Sequence, residues 1–250
     1  MTQIRTPGLT GFQLKLLALA LMVLDHIYYF FSFTGGVPLA LSMAGRLSAP
    51  LFLFCTAEGF AHTHNRRAYG LRCWAIGAAM GAANYAIALL GLARPDGFVP
   101  ANNIFATFAL LTLLWQGMDW LSQRRWGPGL AALLLPFAMT AAYFGLLMLP
   151  GLRGTAWVGT AYLLQATLLP LPLCTEGGLP FLVSGLLMYA LRNSRGLQAA
   201  VFVWINLLWN VFAVWAAAGG EWKLLFTDYY EWMCVFAAPL MLLYNGRRGR

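Results

Sequence analysis

Residues 14–33 read LKLLALALMVLDHIYYFFSF. The run is almost unbroken apolar sequence, and a helix needs about 20 such residues to cross a bilayer. Asp25 and His26 lie in its second half. Ionisable groups inside a span are costly, face other protein groups, and mark function. A second run, residues 46–65 (RLSAPLFLFCTAEGFAHTHN), carries Arg46, Glu58, His62 and His64, so all three histidines of the chain fall in these two segments. The rest of the chain reads as the wall around this pair.

Composition agrees. Of 250 residues, 60% are hydrophobic and 10% charged, against about a quarter charged in a soluble domain; mean hydropathy is +0.68. The apolar runs have helical length and lack the alternation of a barrel, so the expected fold is all-α: one polytopic transmembrane helical bundle over residues 1–250. The first run is longer than the core of a signal peptide, so no cleaved leader is expected. The net charge of +8 is scattered in short groups at span ends, a topology signal that excludes a nucleic-acid partner. Four isolated cysteines form no CxxC spacing and read as small core residues.

The predicted spans are 14–33, 46–63, 72–93, 103–120, 128–149, 198–218 and 229–244. Between them lie a loop at 34–45 with Gly35, Gly36 and Pro38, a basic loop HNRRAYGLR with Arg66, Arg67 and Arg72, and the turn-rich RPDGFVPANN. Pro50 falls in the first turn of the second span, and the Gly/Ala-rich third span suits close helix packing. Two shorter apolar pieces, 155–173 and 179–191, flank LPLPLCTEGGLP. Nine crossings divide the sixteen basic residues evenly. One net crossing over 155–191 instead puts twelve of them inside, including Arg5, Lys15, Arg192, Arg195 and Arg250. The positive-inside rule therefore favours eight crossings, with nine as the alternative, and a cytoplasmic N-terminus.

Depth singles out His26. At ~1.5 Å per residue it lies about 16 Å beyond Lys15, near the middle of a core roughly 30 Å thick. Span two runs the other way, with Arg46 near the outer edge and Glu58 about 10 Å above the inner edge. His62 follows Glu58 at i+4. One polar track of Arg46, Asp25, His26, Glu58 and His62 is expected. Adjacent helical residues point about 100° apart, so Asp25 pairs with a group such as Arg46, while His26 faces a cavity or another acid such as Glu58. The same charges also serve as interhelical ion pairs that fix helix order.

Three chemistries fit these residues. His26 acts as general base in acyl transfer to an amine or hydroxyl; His26, Glu58 and His62 hold zinc in a membrane hydrolase; or the charges belong to a small transporter or assembly factor without catalysis. No metal is expected under the first reading. Arg66, Arg67 and Arg72 are candidates for the phosphates of a cytosolic donor such as acetyl-coenzyme A. Among polar residues in the spans, Asn103 stands out at the outer edge of span four. No Gly-rich phosphate loop or GxSxG elbow is present, so side chains must hold any phosphate donor.

Four stretches, LKLLALALMVLDHIYYFF, AGRLSAPLFLFCTAEGFAHTHNRR, NNIFATFALL and PLMLLYNGRRG, together resemble the TraX family of membrane proteins. Asp25, His26, Gly45, Arg46, Pro50, Arg67 and Asn103 match its pattern. The resemblance implies a multi-pass acetyltransferase of the bacterial inner membrane, taking acetyl-coenzyme A as donor. The implied acceptor is the N-terminus of a pilin-like protein or another membrane-associated amine or hydroxyl. His26 would be the base, supported by Asp25 or Glu58. Arg46, Arg66, Arg67, Arg72, His62 and Asn103 would bind donor or substrate.

Overall fold

A computed structural model describes residues 8–92, 94, 96–151, 156–217 and 219–249. Arg5 and Arg250, used above to orient the chain, lie outside the described residues, as do Ala93, Thr155 and Ala218 at the ends of predicted spans. The structure is 75% helix with no strands among the described residues. In chain order the α-helices are α1 (Gly11–Phe31), α2 (Ala40–Gly45), α3 (Ser48–His62), α4 (Arg66–Leu89), α5 (Ile104–Ser122), α6 (Trp126–Met148), α7 (Ala156–Thr167), α8 (Gly178–Ala190), α9 (Arg195–Ala217) and α10 (Ala237–Leu242). Five stretches are long and apolar enough to cross a membrane: Gly11–Thr34, Ala40–His62, Ile104–Ser122, Trp126–Met148 and Arg195–Ala217.

Three boundaries depart from expectation for local reasons. The 34–45 loop is a turn only as far as Leu39; Gly35 takes the left-handed conformation there, and Leu41 N–H already donates to the Pro38 carbonyl. Helix α2 therefore starts six residues before the predicted span, at Ala40. The basic loop is instead the start of α4. The Asn65 side chain caps that helix by accepting from Ala68 N–H at 2.9 Å, so Arg66, Arg67 and Arg72 lie on its first two turns. The predicted 229–244 span is a tight 3₁₀ stretch, Tyr230–Phe236, leading into the six-residue α10.

The chain groups into two compact units, one from the sequence up to Ala61 and from Leu187 onward, the other from His62–Leu186. In the first, α1 packs on α2, and α9 packs on α10 and the 3₁₀ stretch. Its two chain ends are tied together. Thr10 and Gln13 form a capping box at α1. The next free donors of α1, Gly11 and Phe12 N–H, are taken by the Arg247 and Arg248 carbonyls at 2.8 and 2.9 Å, which satisfies groups that a helix start otherwise leaves to water. Leu9 and Tyr244 complete the tie as an isolated parallel bridge. Along α1, Phe12, Leu16, Leu19, Val23, Ile27 and Phe30 remain exposed, at the spacing of one helix face.

In the second unit α5 packs between α4 and α6, and α7 packs on α4. The small residues of α4 allow this, as expected. Gly77 and Gly81 are buried; a Cβ on Gly77 would lie 2.8 Å from Ala106 N, and one on Gly81 would overlap the Ala166 carbonyl oxygen.

Backbone cannot yield as a side chain does. Gly81→Ala is thus expected to cost about 1–3 kcal/mol or more, read as a lowered thermal midpoint in detergent. Removing residues 245–249 should speed hydrogen exchange at Gly11 and Phe12 while leaving mid-helix amides of α1 protected.

Candidate active site

The first cluster lies where α1 meets α2. Gly45 is buried, and a Cβ there would overlap that of Asp25, so its missing side chain lets the helices close over the carboxylate. Arg46 Nη2 donates to Asp25 Oδ1 at 2.6 Å and to Ser42 Oγ at 3.2 Å, and Ser42 Oγ donates to the same Asp25 oxygen at 3.0 Å. The expected Asp25–Arg46 pair is present, with side-chain exposures of 16% and 29%. Asp25 Oδ2 has no hydrogen-bond partner among the described residues.

His26 points away from this pair. Its Nδ1 lies 2.8 Å from the Met22 carbonyl one turn earlier. A carbonyl only accepts, so Nδ1 carries a proton, and Nε2 is the nitrogen left for a lone pair whenever the ring is neutral. Tyr29 and Phe30 flank the ring at centroid distances of 6.2 and 5.9 Å, and Nε2 has no partner among the described residues.

Glu58 is buried and receives Arg195 Nη1 at 3.1 Å rather than His26. Arg195 is held over Phe54 and Tyr244, 4.7 and 5.1 Å from their ring centroids, and donates to Gln198 Oε1. A guanidinium is always charged where an imidazole need not be, so it wins the carboxylate. His62 ends α3 and is exposed. Among the described residues no group of three or more His, Cys, Asp or Glu is arranged to hold a metal ion, so the hydrolase reading gains no support from geometry.

In the second unit the arginines divide. Cations at a helix start oppose its dipole, and Arg66 is neutralised by an ion pair with Asp119 of α5. Arg67 is exposed and without a partner among the described residues, and exposed Arg72 sits 5.9 Å from the Tyr69 ring centroid. Asn103 is occupied as a scaffold. It caps α5 by accepting from Ala106 N–H; its Nδ2 donates to the Gly77 carbonyl at 2.9 Å; and its own N–H donates to Glu176 Oε2 at 2.6 Å. These bonds tie its amide into the framework and use one of its two N–H donors and one of its two acceptor lone pairs.

Sequence reasoning passed over Ser42, Asp119, Glu176, Arg195 and Tyr230. For the charged ones a signal existed: each deeply placed charge needs an opposite or a donor, and Asp119 and Glu176 lie within or beside apolar runs. For Ser42 and Tyr230, 188 residues apart and hydrogen-bonded, none existed.

An all-helical chain with five apolar spans and an imidazole held inside the first defines a helical membrane protein. It belongs to the TraX family: the model described as TraX protein matches residues 10–164. No curated protein and no solved structure matches the chain. The matched region holds Asp25, His26, Arg46, Arg67 and Asn103 but stops short of the C-terminal YNGRRG motif.

Arg46→Met leaves the Asp25 carboxylate without its cation and should lower stability by about 1–3 kcal/mol. Adding Asp25→Leu should restore much of that loss, because an apolar pair can replace a buried ionic one. Thermal midpoints of the two variants in detergent check both.

Proposed function

We propose that the protein is an integral membrane acetyltransferase that moves an acetyl group from acetyl-coenzyme A to an amine or hydroxyl acceptor, for which the N-terminus of a pilin-like protein is the model. The observation that carries this reading is His26: an imidazole within an apolar span, fixed through Nδ1 and open at Nε2. Nε2 takes the proton of the acceptor as its nitrogen or oxygen attacks the thioester carbonyl carbon. The C–S bond then breaks, and the imidazolium returns the proton to the departing thiolate, so the ring ends as it began. Asp25, one residue away and held by Arg46, supports the site without competing for the Nδ1 proton of His26.

Arg67 and Arg72 receive the donor's phosphates; Arg66 is a weaker candidate because Asp119 already neutralises it. No metal takes part. We further propose a multi-pass placement in the bacterial inner membrane, with eight crossings and a cytoplasmic N-terminus. The exposed apolar stripe of α1 supports lipid contact. Helix α4, at 24 residues, is about 36 Å long and supports a crossing beyond the five most apolar stretches.

Purified protein, acetyl-coenzyme A and a pilin-like peptide should yield acetylated peptide and an equal amount of free coenzyme A. His26→Ala should reduce turnover by about 100-fold or more, while Arg67→Ala and Arg72→Ala should raise KM for acetyl-coenzyme A. Full turnover in His26→Ala would overturn the mechanism. Absence of coenzyme A release with every acceptor would favour a transporter or assembly factor.

A further inference from the structure

Ser42 is 2% exposed. A hydroxyl offers one donor and two acceptor lone pairs, and here all three are used. Oγ donates to Asp25 Oδ1, accepts from Arg46 Nη2 at 3.2 Å, and accepts from the Tyr230 hydroxyl at 3.1 Å. The Tyr230 ring also lies beneath the Arg46 guanidinium, 5.6 Å from its carbon to the ring centroid, within cation–π range. Tyr230 opens the 3₁₀ stretch, which packs on α2 and α9, and it lies beyond the region matched by the family model. The C-terminal part of the chain thus completes an ion pair built by the N-terminal part.

We propose that Tyr230 is a positioning residue for the acyl transfer inferred above, on which this proposal rests: its hydroxyl, through Ser42, fixes the Asp25 carboxylate beside His26. A hydroxyl with both lone pairs filled has one direction left for its proton, and that direction is Asp25. Without the Tyr230 donor, Ser42 regains rotational freedom, and Asp25 depends on Arg46 alone. Chains of hydrogen bonds also strengthen one another in a low-dielectric setting. The ring and the hydroxyl have separable jobs, because phenylalanine keeps the surface beneath Arg46 and removes only the donor.

The test is a double-mutant cycle on the full chain in detergent, with Tyr230→Phe, Ser42→Ala and the double variant. Each is scored by kcat and KM for acetyl-coenzyme A and by thermal midpoint. Tyr230→Phe should lower kcat about tenfold with KM unchanged, and should have no further effect once Ser42 is alanine. Unchanged kcat in Tyr230→Phe, or losses that add in the double variant, would overturn the proposal. If the unmodified protein transfers no acetyl group, the acetyltransferase reading fails by itself. The thermal cycle still reports the link: a Tyr230→Phe shift that disappears in the Ser42→Ala background supports it, and additive shifts refute it.

Discussion

A carboxylate within an apolar span persists only where a cation and hydrogen-bond donors meet it, and the Asp25–Arg46 pair supplies that condition here. The surrounding features follow from it. Gly45 brings α2 close enough to α1 for the pair to form. Ser42 adds a second donor to the same oxygen. The 3₁₀ stretch brings Tyr230 against both. Because Asp25 and His26 are consecutive on a helix, fixing one side chain toward α2 fixes the direction left to the other.

Four of the eight acids are spoken for within the helical framework. Asp25 binds Arg46, Glu58 binds Arg195, Asp119 binds Arg66, and Glu176 accepts from the backbone of Asn103. Pairing of this kind lets a polar interior survive in a low-dielectric setting. Of the residues singled out for chemistry, it leaves His26, Arg67 and Arg72 without a carboxylate partner among the described residues.

The helical class was legible because apolar run length reports directly on span formation, and the 100° step between Asp25 and His26 correctly separated their partners. Boundaries were less legible. Pro38 and Asn65 each lead into a helix where a breaker-rich or basic stretch suggested a loop. Partner choice was legible only when both members fell in neighbouring spans. Glu58 was one candidate partner for His26 in the neighbouring span, whereas Arg195 reaches it from 137 positions away. Tyr230 was invisible for the same reason, since a tyrosine near a span end is ordinarily explained by the membrane interface.

The tie between the chain ends sets an order of events in biosynthesis. Gly11 and Phe12 emerge from the ribosome long before Arg247 and Arg248, whose carbonyls take up their N–H groups. Until those carbonyls arrive, water or lipid headgroups must serve the first turn of α1. The helix that carries His26 is therefore made early, while the carbonyls that satisfy its first turn are made late.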